Sequence, residues 1–260
     1  MCMKRILGIV LFMLQLGVMA QDKSMFEKRN FIHKGDTLPY RILYPENYDA
    51  AKSYPLVLFL HGAGERGKDN ERQLTHGSTL FLNKSTRDSF PAIVVFPQCP
   101  EGEYWANVDI QQTDSGRVFN FKDGGEPTRP MKLLLELLDH LEKKEHINPQ
   151  RMYVGGLSMG GMGTFELLSR RPKTFVAAFP ICGGGHPALT KKYAKKVSMW
   201  VFHGAKDDIV EPKHSRIMVD ALKKNGADVR LTIYPEANHN SWDPAFAEPG
   251  LLSWLFAQMK

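Results

Sequence analysis

Cysteine is scarce in this sequence, with only three in 260 residues. Cys2 lies at the N-terminus, so the body of the chain holds only Cys99 and Cys182. Two cysteines cannot form the framework of a small disulfide-rich protein, and these two lack metal-ligand spacing. We expect both to be buried free thiols, and we expect neither a metal nor another cofactor.

Long hydrophobic runs are also missing. The apolar run at residues 6–18 covers only 13 residues, whereas a helix needs about 20 to cross a bilayer. The run follows Lys4 and Arg5 and precedes small residues before Gln21, the features of a cleaved secretory signal. We therefore predict a signal peptide at residues 1–20 and an exported protein, periplasmic or extracellular, without a permanent membrane anchor.

The charge of the remaining chain is modest and scattered. Without residues 1–20, 32 basic residues stand against 28 acidic ones, a net charge of +4. The lysines occur as separate pairs, which is typical of solvated helix and loop faces and excludes a basic nucleic-acid patch. No repeat, linker or low-complexity tract interrupts residues 21–260, so we predict a single catalytic domain there. The sequence does not give its oligomeric state.

Short runs rich in Val, Ile and Phe alternate with longer helical patterns, which is typical of an α/β fold with a mostly parallel sheet flanked by helices. The eight predicted strands, the first two of which form a hairpin, lie at residues 25–33, 38–44, 54–60, 92–97, 151–154, 175–181, 199–203 and 229–234. The predicted helices lie at residues 131–145, 160–170, 213–225 and 244–260, with a less regular one at 70–83. Residues 99–128 show no clear periodicity, which is typical of a functional loop.

One serine has the setting of a nucleophile. Gly156-Leu157-Ser158-Met159-Gly160 matches G-x-S-x-G, with a predicted strand before it and a helix after it. A serine on so sharp a turn is strained, and larger side chains two positions away would collide with the turn. The alternative is an ordinary glycine-rich loop. The flanking strand and helix favour Ser158 as the nucleophile.

The base that activates Ser158 should be a histidine later in the chain, because this architecture orders the groups as serine, acid, histidine. The four histidines that follow are His186, His203, His214 and His239. His203 ends a strand and is expected in the core, while His214 lies on a predicted helix and is expected at the surface. His239 follows the last strand, at the sheet edge where Ser158 also emerges. We therefore predict His239 as the base.

Asp207 and Asp208 are the candidates for the acid that orients the base. Both follow the strand at 199–203, and neighbouring side chains point different ways, so only one can meet the imidazole. The other is expected to cap the helix that begins near Pro212.

The tetrahedral intermediate needs two donors for its oxyanion. One is predicted to be the amide of Met159, the residue after the nucleophile. The other is expected in the loop after residues 54–60, where small residues let the backbone approach the substrate. We predict the Ala63 amide as the donor, Gly64 as a substrate contact, and His61 as a support for the loop.

Four motifs together resemble the α/β-hydrolase superfamily over nearly the whole mature chain. They are Leu-His-Gly-Ala-Gly-Glu-Arg-Gly at 60–67, Pro-Gln-Cys-Pro at 97–100, Gly-Leu-Ser-Met-Gly-Gly at 156–161 and His-Asn-Ser-Trp at 239–242. The chain is similar to the secreted esterases grouped with phospholipase/carboxylesterases, dienelactone hydrolases and prolyl oligopeptidase catalytic domains. The family pattern His-Gly-x-x-Asp-x-x-Val, laid on residues 203–210, selects Asp207. The family's strand order places two strands between Cys99 and Cys182, about 14 Å apart and too far for a disulfide.

The resemblance implies a serine carboxylesterase that works through an acyl-enzyme. Relatives with these motifs often remove acetyl or feruloyl groups from plant polysaccharides, so a small ester or acylated oligosaccharide is the expected substrate. Trp105, in the long loop, and Trp242, beside His239, are expected to wall the substrate site. The alternatives are a peptidase of the prolyl oligopeptidase type, a phospholipase or thioesterase, and a non-catalytic binding protein. A binding protein would lack a member of the triad, and none is missing.

Overall fold

A computed structural model describes residues 22–114 and 116–260. The predicted signal peptide at 1–20 lies outside these residues. Within the part of the chain that is described, no helix is both long and apolar enough to cross a bilayer.

An eight-stranded sheet forms the centre of the molecule, and its strands are the eight that the apolar runs predict. The strands are β1 (Glu27–His33), β2 (Asp36–Leu43), β3 (Tyr54–Leu60), β4 (Ile93–Pro97), β7 (Ile147–Leu157), β8 (Ala177–Ile181), β9 (Ser198–Gly204) and β10 (Val229–Tyr234). Their spatial order is β1-β2-β4-β3-β7-β8-β9-β10. β2 pairs antiparallel with β1 and β4, and all the remaining neighbouring strands of this sheet pair in parallel. This confirms the predicted α/β-hydrolase sheet.

Helices cover both faces of the sheet. The helices are α1 (Ser78–Leu82), α2 (Lys84–Ser89), α3 (Arg129–Lys144), α4 (Met159–Arg170), α5 (Lys213–Lys224), α6 (Trp242–Phe246) and α7 (Leu251–Ala257). The apolar sides of α3, α4 and α5 are buried against one face, and those of α1, α6 and α7 against the other. Because the parallel strands share one direction, their carboxyl ends form a single edge, where ligands collect in such folds.

A second, two-stranded sheet lies in the segment that was predicted to be irregular. β5 (Val108–Thr113) pairs antiparallel with β6 (Gly116–Phe121). Most of its side chains are at least partly exposed, and Phe119 is the buried one, so the hairpin lacks the run of buried apolar residues that marks most strands of the main sheet. Phe119 packs with Met162 and Val210 beside the carboxyl edge of the main sheet. The hairpin therefore forms part of the surroundings of the predicted nucleophile.

Two predicted helices are shorter than expected. The helix predicted at 244–260 is divided into α6 and α7, because Pro249 and Gly250 stand between them and proline disfavours helical backbone at the residue before it. At 70–83, a 3-10 turn at Arg72–Leu74 and helix α1 are separated by Gly77, whose φ is +81°. That left-handed conformation stops a continuous helix.

Candidate active site

Ser158 occupies the turn between β7 and α4. Its φ of 53° and ψ of −118° lie outside the regions that residues with a side chain normally adopt, a strain that costs roughly 1–3 kcal/mol. A Cβ at Gly156 would overlap the carbonyl oxygen of Gly160, and one at Gly160 would overlap that of Leu60. The glycines of the motif are thus required by the close approach of three backbone segments, as the sequence predicts.

Ser158, His239 and Asp207 form a continuous hydrogen-bonded chain. Ser158 Oγ lies 2.9 Å from His239 Nε2, and His239 Nδ1 lies 2.8 Å from Asp207 Oδ2. The Asp207 carboxylate therefore fixes the imidazole with its proton on Nδ1 and leaves Nε2 free to accept the serine proton. The three predicted residues meet in the geometry that nucleophilic catalysis needs.

Asp207 accepts four hydrogen bonds from the surrounding chain. The amides of Ile209 and Val210 donate to Oδ1 at 3.0 and 2.9 Å, while His239 and His203 approach Oδ2 at 2.8 and 3.1 Å. Burial alone would raise the pKa of this carboxyl, but the bonds from His203, His239 and Val210 hold the pKa well below its usual range. The acid of the triad is consequently ionised and fully satisfied.

His203 was expected in the core, and it is completely buried. Its contact with Asp207 was not anticipated, because strand position says nothing about where the ring nitrogens point. Nε2 also lies 2.7 Å from the Val210 carbonyl, and Nδ1 lies 2.7 Å from Ser215 Oγ. Both neighbours of Nε2 are acceptors, so Nε2 carries a proton and donates it.

The other candidate acid and bases lie outside the triad. Asp208 is exposed, and helix α5 has no side-chain cap, so the predicted capping role of Asp208 is wrong. His214 is half-buried instead of at the surface, because Phe119 and Phe121 of the hairpin pack edge-on against its ring. The aspartate that the family pattern selects and the histidine that chain order selects are the two that the structure brings together with Ser158.

The predicted oxyanion donors flank the nucleophile. Ala63 begins a 3-10 turn after β3, Met159 begins α4, and both line the cavity that holds Ser158. His61 supports this loop as predicted: Nδ1 donates to the Gly62 carbonyl at 2.6 Å, and Nε2 accepts from the Cys99 amide at 2.9 Å. Burial lowers the pKa of His61 to about 4, so the ring is neutral at pH 7.

A cavity of about 360 Å³ opens at Ser158 and His239. Two groups of residues line it, which we call the polar wall (Glu65, His76 and Trp242) and the apolar wall (Phe119, Met162, Ile209 and Val210). Trp242 and Gly64 line the cavity as predicted, and so do Tyr104 and Arg117. Motifs and spacing indicate the chemistry of a site but not the shape of its pocket, so sequence reasoning missed Glu65, His76 and the hairpin residues.

Trp105 does not line the cavity, contrary to the prediction. Its side chain is completely buried, its ring packs against His61 at 5.6 Å, and its indole N–H donates to the His61 carbonyl at 3.3 Å. A tryptophan in a polar segment can bury its ring if its N–H finds an acceptor. Trp105 therefore supports the loop after β3 and is not part of the cavity lining.

Cys99 and Cys182 are buried free thiols, as predicted. They follow β4 and β8, which β3 and β7 separate. The ligand atoms of Cys182, Asp207 and His239 lie within 4.8 Å of one another. Burial raises the pKa of the Cys182 thiol, and Asp207 and His239 already bond to each other, so this group does not suit a metal.

The chain is similar to a known protein family over most of its length. Residues 48–248 match the family described as Phospholipase/Carboxylesterase. The chain is 28% identical over 178 residues to the bifunctional acetylxylan esterase/xylanase XynS20E of Neocallimastix patriciarum, an alignment that covers 68% of this chain and 22% of that protein. It therefore spans about a fifth of that relative.

Two solved structures extend the comparison. A thermostable esterase superposes with a TM-score of 0.82 at 32% identity, over 91% of this chain and 64% of that one. The ferulic acid esterase AmCE1/Fae1A of Anaeromyces mucronatus, solved in complex with ferulic acid, superposes with a TM-score of 0.63 at 15% identity, over 90% of each chain. The second similarity concerns the fold alone.

Proposed function

The chain belongs to the phospholipase/carboxylesterase family of α/β-hydrolases, and we propose that it is a serine hydrolase that cleaves carboxylic esters through an acyl-enzyme. The observation that carries this proposal is the continuous chain of hydrogen bonds from Ser158 through His239 to Asp207. Ser158 and His239, at one end of this chain, line a cavity large enough for a small ester.

In the proposed mechanism, His239 Nε2 takes the proton of Ser158 Oγ as this oxygen attacks the ester carbonyl carbon. The amides of Ala63 and Met159 donate to the oxyanion that forms. His239 then gives its proton to the leaving alcohol, and a water activated by the same ring hydrolyses the acyl-enzyme. Asp207 stabilises the imidazolium in both halves of the reaction.

The proposed substrates carry acetyl or feruloyl groups on plant polysaccharide. XynS20E is named as an acetylxylan esterase, and AmCE1/Fae1A was solved with ferulic acid; both support this substrate class. The apolar wall also supports it, because Phe119 and Met162 offer apolar surface to an acyl group.

The test is hydrolysis of p-nitrophenyl acetate, methyl ferulate, an acyl thioester and a prolyl-p-nitroanilide, by the protein and by Ser158→Ala. We expect turnover of the two oxygen esters and a loss of about 10⁶-fold in kcat in the folded variant. Cleavage of the anilide or the thioester alone would reject the ester assignment. Undiminished activity of Ser158→Ala would reject the nucleophile.

We further propose that residues 1–20 direct export and that residues 21–260 form the mature catalytic domain. The basic start and the short apolar run of the sequence support this. Expression of the full chain in a bacterium, followed by N-terminal sequencing of the exported protein, tests it. A mature protein that begins at Gln21 is expected, and an unprocessed chain retained in the cytoplasm would contradict export.

A further inference from the structure

The two walls of the cavity differ in chemistry and in their relation to the triad. In the apolar wall, Phe119, Met162 and Val210 pack into one cluster. In the polar wall, the Trp242 ring lies edge-on to His239 at 5.4 Å, and the His76 ring packs on Trp242 at 5.1 Å. A chain of contacts thus leads from the base of the triad to the polar wall.

Glu65 continues this chain. Its carboxylate lies 3.7 Å from His76 Nε2, and its side chain is only 13% exposed. Within residues 22–114 and 116–260, that carboxylate accepts no hydrogen bond from the protein. The Glu65 oxygens are not among the fully buried unpaired polar atoms of the described residues, so they open to the cavity that Glu65 lines, where water or a ligand hydroxyl can donate to them. The cavity side is where a ligand could supply the missing donor.

The direction of the reaction relates this carboxylate to one part of the substrate. The alcohol oxygen of the ester must lie next to His239, because His239 gives it the proton on departure. The polar wall adjoins His239 through Trp242, and the apolar wall provides separate surface for the acyl group. The alcohol portion of the ester is therefore the part that faces Glu65.

We propose that Glu65, with His76 beside it, binds a hydroxyl group on the alcohol portion of the substrate, so that the preferred alcohols are polyols such as sugars. This rests on the proposed esterase function. Glu65 accepts a charge-assisted hydrogen bond from the hydroxyl, and Trp242 lines the same part of the cavity. Simple alkyl alcohols of equal size lack the donor and leave the carboxylate unsatisfied.

The test uses two acetate esters of similar ring size: a mono-acetylated methyl xyloside and cyclohexyl acetate. In Glu65→Leu, we expect KM for the xyloside ester to rise about 10- to 100-fold more than KM for cyclohexyl acetate, the value of one hydrogen bond to a charged group. Glu65→Gln, which keeps an acceptor oxygen, should recover part of the difference. Glu126→Leu is the matched control, because Glu126 is exposed and does not line the cavity.

Equal losses on both esters in folded Glu65→Leu, judged by its thermal midpoint, would overturn the proposal, and so would no loss on either. Acetylcholine is a third substrate. If Glu65→Leu raises KM for acetylcholine more than KM for the xyloside ester, the polar wall binds a cation and the polyol proposal is wrong. If the wild-type protein hydrolyses none of the three esters, it is the esterase function that fails.

Discussion

Asp207 and Glu65 are two largely buried carboxylates beside one cavity, and the chain treats them in opposite ways. Asp207 accepts four hydrogen bonds from backbone and histidine donors. Glu65 lies 3.7 Å from His76 Nε2 and, within the part of the chain that the structure describes, accepts no hydrogen bond from the protein. Asp207, which must stay charged through every turnover, receives its hydrogen bonds from the protein itself. Glu65, which we propose contacts the substrate, has acceptor oxygens that a substrate hydroxyl can reach.

The largest effect expected at either of these two carboxylates comes from neutralising Asp207. Asp207→Asn removes the charge that stabilises the His239 imidazolium. The asparagine amide can also turn an N–H donor towards His239 Nδ1, which itself needs an acceptor there. We expect kcat on p-nitrophenyl acetate to fall about 10⁴-fold, with the fold retained as judged by circular dichroism.

The neighbouring acid is the matched control for this experiment. Asp208 is exposed and lies outside the hydrogen-bonded chain. Asp208→Asn should therefore keep kcat within about twofold, as surface substitutions usually do. Equal losses in the two variants would show that the loop, and not the Asp207 carboxylate, supports catalysis.

Much of the satisfied region could be predicted from the sequence. Ser158 and His239 follow from local sterics and from chain order along parallel strands, and the α/β sheet follows from its apolar runs. The choice of Asp207 over Asp208 needed the family pattern, because two adjacent acids look alike in one sequence.

Of the polar wall, only Trp242 could be predicted, for a physical reason. Glu65 ends a 3-10 turn after β3, His76 precedes α1 and Trp242 begins α6, and tertiary packing alone brings them together. The hairpin was missed because only Phe119 of its twelve residues is buried. Trp105 was misplaced because sequence does not show that its N–H reaches the His61 carbonyl.

A second expected effect concerns His61, which belongs to the same loop as Glu65 yet is satisfied by the chain. Its two nitrogens are bonded while the ring is neutral, and its pKa is lowered to about 4 from an ordinary 6.5. The unfolded chain therefore binds a proton between these values and the folded chain does not. Stability should fall as pH drops from 6.5 to 4, by up to about 3 kcal/mol at pH 4.

Urea unfolding of the protein and of His61→Asn from pH 7.5 to 4 measures this effect. The variant should be less stable at pH 7 but lose less stability on acidification, because the titrating ring is gone. His140→Gln removes an exposed histidine of α3. Its free energy of unfolding should change with pH as steeply as that of the wild-type protein. A slope unchanged by His61→Asn would mean that other groups cause the acid sensitivity.

The smallest expected effect sharpens the comparison at Asp207 itself, by removing a single donor. His203→Leu takes away the N–H that approaches Oδ2 at 3.1 Å. Oδ2 then accepts more strongly from His239, so the His239 imidazolium is stabilised and a higher pH is needed to free the base. The acid limb of kcat/KM on p-nitrophenyl acetate should move up by about one pH unit or less.

His203→Gln is the matched variant, because its side-chain amide can place an N–H near the position of Nε2. It should keep the acid limb close to that of the wild-type protein. The other ionisable groups around Asp207, which are Cys182, His214 and His239, are unchanged in both variants. A lower rate in His203→Leu with an unmoved acid limb would mean that His203 only packs the core. If the acid limb moves in His203→Leu and returns to the wild-type position in His203→Gln, the N–H of His203 near Asp207 Oδ2 influences the base, His239.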